Sequence, residues 1–188
     1  MPRVSLILPS VNNRAMFWAR KFSELEVEHG KGFDFIGDRI TRESDIVVGG
    51  DSKLYYNFTT LPKDIFVHNH PGPMSPLSFE DVNVAVNSRV QKMIVTHKHG
   101  FTSMDFTTAD ELILRAYLPN WFKDVCERNE NLLRQLTSEN RKSKINPITL
   151  LVENYYKLYD SSVRDLTEFA NYTGALFENV NWRVKGFK

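Results

Sequence analysis

Cysteine is almost missing from this chain: Cys126 stands alone among 188 residues. One cysteine excludes an intramolecular disulfide framework and any zinc site built from two or more thiolates of this chain, and it permits a reducing compartment. Long apolar runs are missing too. "VSLIL" (4–8), just after Arg3, has too few apolar residues for a signal-peptide core, and no stretch approaches the roughly 20 of a membrane span. The expectation is a soluble, cytoplasmic protein with no membrane partner. An excess of either charge is also lacking, since Lys plus Arg number 24 against 23 Asp plus Glu. No strong field therefore points to nucleic acid, a membrane surface or an acidic partner, and the one basic cluster is "NRKSK" (140–144). Internal repeats and low-complexity tracts are absent. What remains is a globular composition, 41% hydrophobic and 25% charged, on a chain long enough to bury a sizeable core.

Hydrophobic periodicity predicts the elements. Val4 to Leu8 reads as a strand broken by Pro9, and "NNRAMFWARKFSEL" as a helix with Met16, Ala19 and Phe22/Ser23 on one face. "EHGKGFDFIGDRI" and "SDIVVGGDSKLYYNF" predict a β-meander, with the run "LYYNF" as a strand beyond the turn "GGDS". "DIFVHNHP" is a strand that Pro71 terminates. In "LSFEDVNVAVNSRV", Ser78 is the N-cap, Glu80 and Asp81 lie in the first turn, and Val82, Ala85, Val86 and Val90 follow helical spacing. "KMIVTH" and "FTSMDF" flank a hairpin at "KHG". Farther on, "TADE" reads as a capping box with Thr108 as cap and Glu111 as its partner. The helix it opens runs through Leu112, Leu114 and Leu118 to a stop at Pro119. Trp121, Val125, Leu132 and Leu136 form the stripe of the next helix. "TSENRKSK" is a connector, and Asn146-Pro147 opens a last helix ending near Gly174.

The segment "FVHNHPGPMSPLSFEDV" (66–82) carries chemistry. On a strand, side chains alternate, so His68 and His70 face the same way and can chelate one ion. A proline-stiffened loop returns the chain to a helix start, whose first-turn Asp81 supplies an oxygen ligand. Two histidines and an aspartate leave a fourth tetrahedral position for water, the open coordination of a catalytic zinc, where the pKa of water falls to about 7. Ser78, one turn before Asp81, sits where it can donate to a developing oxyanion. A histidine pair alone is common at strand ends. Ser78 and Asp81 downstream make the pattern specific.

His68-Asn69-His70-Pro71, followed by Ser78 and, after Phe79-Glu80, by Asp81, closely resembles the signature of the JAB/JAMM (MPN-type) zinc metallopeptidases. "HNHP" is similar to the bacterial, phage and DNA-repair-associated branches. The match covers residues 68–81, and the wider order of elements resembles the family over roughly residues 12–107. The resemblance implies an α/β (α+β) fold of the cytidine-deaminase-like JAB/MPN type, a mixed sheet flanked by helices. The family-like domain would span 1–118. Residues 119–188 form a helical extension, packed on the same core, presenting a partner surface or joining copies of the chain. The resemblance further implies Zn²⁺ on His68, His70 and Asp81, a catalytic Ser78, and a glutamate on an early strand as general base. Glu28 is the choice for that glutamate, because "EHGKGFDFIG" looks like the family's glutamate followed by a glycine and an apolar strand. The interval to Gly37 is stretched, so Glu26 is a rival and Glu43 a weaker one.

Other groups have blander readings. His97 and His99 share a strand face but lack a neighbouring carboxylate; His29 is a surface or cleft residue; "GGDS" is a turn. Cys126 has no base beside it, and Tyr155, Tyr156 and Tyr159 form a packing stripe. The function implied is hydrolysis of a peptide or isopeptide bond in a protein or peptide substrate, in particular one carrying a ubiquitin-like modifier. Two alternatives stand beside it: a non-catalytic binding module on the same fold, and a metal-dependent nucleic-acid-associated protein of the DNA-repair-type branch, which the near-neutral charge opposes. Deamination through an HxE and PCxxC zinc site is excluded by the single cysteine.

Overall fold

Val11, Ala15, Ala19 and Phe22 recur at helical spacing and are all buried, which is why Pro9–Phe22 forms helix α1 and lies against a sheet. The computed structural model describes residues 9–49, 54–71, 76–142 and 146–182, so the strand expected at Val4 to Leu8 lies outside the described residues. Strands β1 (His29–Ile36), β2 (Arg39–Glu43), β3 (Val47–Val48) and β4 (Ile65–Asn69) come next. Helix α2 (Phe79–Ser88), β5 (Lys92–His97), β6 (Gly100–Asp105), α3 (Glu111–Lys142), α4 (Pro147–Thr173) and β7 (Leu176–Asn181) complete the order. The protein is a mixed α/β fold. Its seven-stranded sheet runs β2-β1-β4-β5-β6-β7, with β3 on β1. Only β4 and β5 among these pairs are parallel, and the crossover a parallel pair requires is α2.

Strand alternation sorts the core into two layers. Ile65, Val67 and Ile94 meet α1 on one face with Phe33, Phe101 and Val180. Phe66, Met93, Val95 and Met104 meet α2, α3 and α4 on the other, through Val82, Leu118, Trp121, Leu166 and Phe169. His68 follows Phe66 by two residues and so belongs to the second face.

Several elements depart from the sequence reading, each for a local reason. "LYYNF" is not a strand: residues 54–57 are irregular and a turn follows. The rings of Tyr56 and Phe58 instead pack on Phe66, tilted and edge-on respectively, and the Tyr56 hydroxyl donates to the Pro62 carbonyl. Asp110, not Thr108, caps α3, its Oδ1 accepting from the Leu112 and Ile113 amides, while Thr108 donates to the Gly174 carbonyl. Pro119 does not stop the helix. It is exposed, so the carbonyl it leaves without a partner faces water, and buried Leu114, Leu118, Trp121 and Val125 carry the stripe through it. "TSENRK" continues α3 to Lys142 rather than forming a connector. His99 lies in the β5–β6 turn, not on the strand face with His97. The C-terminal part is not all helical: α4 ends at Thr173, Gly174 follows with the positive φ of 88° suited to glycine, and β7 then pairs with β6 from Leu176 to Asn181. Residues on both sides of position 118 share one core cluster.

Candidate metal centre

The site lies at the carboxyl ends of the parallel pair β4 and β5, where α2 begins. Its first half is set by β4, where all five residues are buried. Strand pleat turns His68 and His70 to one side, and their Nε2 atoms approach to 3.2 Å. The second half is set by the start of α2. Ser78 Oγ accepts from the Asp81 amide, and Asp81 Oδ2 accepts from the Ser78 amide, a reciprocal capping box. Ser78 Oγ also donates its proton to Asp81 Oδ2 at 2.8 Å. The entry to the helix is tied to β6, since the Leu77 amide donates to Thr102 Oγ1 at 2.6 Å. Cap, helix and sheet therefore present the Asp81 carboxylate in one orientation: Oδ1 is 3.2 Å from His68 Nε2 and Oδ2 is 3.4 Å from His70 Nε2.

These separations bear on whether a metal suits the site. Zn–N and Zn–O bonds of about 2.0–2.1 Å in a tetrahedron give ligand-to-ligand edges of about 3.3 Å. The three edges here are 3.2, 3.2 and 3.4 Å, although the two edges to Asp81 end on different oxygens. His70 Nδ1 lies 3.1 Å from the Pro76 carbonyl. A carbonyl oxygen only accepts, so Nδ1 carries the proton, and neutral His70 offers the Nε2 lone pair inward. Two imidazole lone pairs and a carboxylate so close together need positive charge among them, either a proton or a cation. Electrostatics agree. Burial alone would make Asp81 harder to ionise, yet the charge and hydrogen bonds of His68 and His70 hold its carboxyl well below the usual range. Burial lowers the proton affinity of His70, but Asp81, the charge of Glu28 and the Pro76 carbonyl raise it above its ordinary value overall. His68 Nδ1 is buried with no hydrogen-bond partner among the described residues, and its ring packs against Phe66. Among the described residues, His68, His70 and Asp81 are the histidine, cysteine or carboxylate group close enough to share an ion.

The three candidate glutamates occupy different surroundings. Glu28 immediately precedes β1. Gly30 pairs with His68 across β1 and β4, and continuing that antiparallel register brings Glu28 opposite His70, on the face that carries both histidines. Its charge reaches the His70 ring, and its carbonyl accepts from the Gly49 amide. Glu26 is exposed. Glu43 is committed elsewhere, 3.0 Å from Arg14 and 3.4 Å from Lys31; chiefly the Arg14 hydrogen bond holds its carboxyl below the ordinary range. Ser78 gives its proton to Asp81, so donation to an oxyanion would require releasing that carboxylate oxygen. Cys126 is no thiolate, because burial and then Glu80 and Glu130 push its thiol up. Tyr159 hydrogen-bonds Asn179 at 2.8 Å.

Sequence reasoning passed over Asn69, the residue between the two histidines. It faces away from them, 1% exposed, and binds the segment that carries Glu28. A polar residue set between two histidines after the apolar run Ile65–Val67 was the available signal. No protein-family model matches the chain, and neither a curated protein nor a solved structure does. Among the described residues no helix is long and apolar enough to cross a membrane.

Proposed function

We propose that this protein is a zinc-dependent hydrolase of the JAB/JAMM (MPN-type) kind, cleaving a peptide or isopeptide bond, with a ubiquitin-like modifier as the favoured substrate class. The observation that carries this reading is the convergence of His68, His70 and Asp81 at 3.2–3.4 Å, with the β1–β4 register bringing Glu28 opposite His70. His68, His70 and Asp81 would hold the zinc. When bound, it supplies Lewis-acid activation of water and of the scissile carbonyl. Glu28 takes the proton of the attacking water and returns it to the departing amine. The Pro76 carbonyl keeps His70 in the tautomer that binds metal, and Ser78 aims the Asp81 carboxylate. A reducing cytoplasmic setting suits a chain with one cysteine.

The test is metal analysis of the purified protein joined to a cleavage screen on ubiquitin-like fusions. About one zinc per chain is expected, lost in the His68→Ala/His70→Ala double variant, together with cleavage that Glu28→Gln abolishes while zinc is retained. Full zinc in the double variant would refute the ligand assignment. Zinc without cleavage, unaltered by substitution of Glu28, Glu26 or Glu43, would instead favour a binding module.

A further inference from the structure

We propose that Asn69 is the positioning residue for Glu28, an inference that rests on the hydrolase reading above. The Asn69 side chain uses its full amide on one short segment. Its Oδ1 accepts from the His29 amide at 2.6 Å, and its Nδ2 donates to the Leu25 and Val27 carbonyls at 3.1 Å each. These contacts bracket Glu28 in sequence, with Val27 on one side and His29 on the other. Residues 23–28 form no helix or strand of their own, so the height at which Glu28 meets the centre is set by what binds its neighbours. The Gly49 amide on the Glu28 carbonyl is the other tie at that residue.

Asn69 is also bonded through the main chain to both His68 and His70. Strand alternation sends the two imidazoles to the α2 face and the amide to the α1 face, so three consecutive residues at the end of β4 would hold the metal on one side and the base-bearing segment on the other. A shift of β4 relative to β1 is thereby shared by the ligands and by Glu28. The amide is buried, and removing the side chain would take a partner from the His29 amide and the Leu25 carbonyl, while the Val27 carbonyl would keep the His29 ring nitrogen at 2.7 Å. Hydrophobic packing alone does not explain an asparagine here, because Ile65 and Val67 occupy the same face of the same strand.

The experiment measures zinc affinity by competition titration in the full chain, its Glu28→Gln variant, Asn69→Ala, and the double variant. Backbone hydrogen exchange at His29 is followed in each. Glu28→Gln is expected to weaken zinc on the order of threefold to tenfold through loss of one nearby negative charge. Asn69→Ala should weaken it by a similar factor, and the double variant by no more than either single one, because a displaced Glu28 has nothing left to lose. His29 exchange should speed at least about tenfold in Asn69→Ala. Where a cleaved substrate is in hand, kcat should fall with KM unchanged in both single variants, without adding in the double. Asn69→Asp keeps the acceptor for His29 and loses both donors. It should fall between the full chain and Asn69→Ala, and it serves if the alanine variant fails to fold. Additive losses or unchanged His29 exchange would overturn the proposal; if Glu28→Gln leaves zinc affinity undiminished, His29 exchange and the kcat comparison decide it. Absence of zinc binding in the full chain would sink the hydrolase reading, and His29 exchange alone would then decide whether Asn69 holds the segment.

Discussion

Ser78 is bound to Asp81 three times over, through its hydroxyl as donor, its hydroxyl as acceptor and its own amide. Ser78→Ala therefore removes a helix cap and loosens a candidate metal ligand at once. The expected result is a loss of about 1 kcal/mol in denaturant unfolding and a zinc affinity lower by about 10–100-fold in competition titration. Arg14 and Glu43 form a partly exposed pair in which Glu43 is held below its ordinary value, first by the Arg14 hydrogen bond. A depressed carboxyl stabilises the fold above its unfolded value of 4.5 and ceases to do so as pH falls through its lower folded value. The stability curves of the full chain and Arg14→Ala should thus differ by about 0.2–1 kcal/mol above pH 4.5 and converge in acid, as urea titrations across pH would record. At this scale the convergence of His68, His70 and Asp81 was legible, because period two on a strand and one turn of helix are local rules. Among the glutamates the sequence put Glu28 first but left Glu26 and Glu43 open, because their surroundings depend on the β1–β4 register and on Arg14 and Lys31, which already hold Glu43.

Elements obey packing before propensity in this chain. Pro119 sits inside α3 because the stripe of Leu114, Leu118, Trp121 and Val125 is worth more than one missing hydrogen bond. Burial of each such side chain contributes about 1.5–3 kcal/mol. Pro119→Ala is expected to stabilise the protein by about 1–3 kcal/mol, read as a higher midpoint in thermal melting. Gly32 in β1 is constrained in the opposite sense. A Cβ there would stand 1.8 Å from the Pro62 carbonyl oxygen and 2.1 Å from the Tyr56 hydroxyl, so Gly32→Ala should cost about 3 kcal/mol in chemical unfolding. The same close crossing explains why "LYYNF" reads as a strand and is not one. Its aromatic residues lie over β1 and Phe66, where packing replaces a ladder. Likewise β7 escaped notice because "LFENVN" is short and half polar, and only the open edge of β6 gives it a partner. Helices α1 and α4 and the β4–α2–β5 unit were legible because their apolar spacing is long or their caps are strong, whereas the bounds of α3 were not.

On the scale of the whole molecule, a boundary at position 118 falls within α3 and within one core. Trp121 packs edge-on to Phe79 at 5.5 Å and beside Phe169 at 4.3 Å, so helices from both parts of the sequence meet there. A chain ending at residue 118 would expose Phe79, Val82 and Leu118, and would strip Trp121, Val125, Leu166 and Phe169 from them. The loss, about 1.5–3 kcal/mol per large side chain, is comparable to the 5–15 kcal/mol that stabilises a typical domain. The truncated chain is expected to lose cooperative melting and to aggregate, which circular dichroism and light scattering would report. The three candidate ligands all come from β4 and the start of α2, neighbours in sequence, whereas Glu28 arrives from the far side of a long excursion through the meander. On the proposed function, holding an ion would draw on the β4 end and the start of α2 alone, whereas the proposed base would also need β1 in place. Zinc occupancy by itself would then not count the molecules able to turn over.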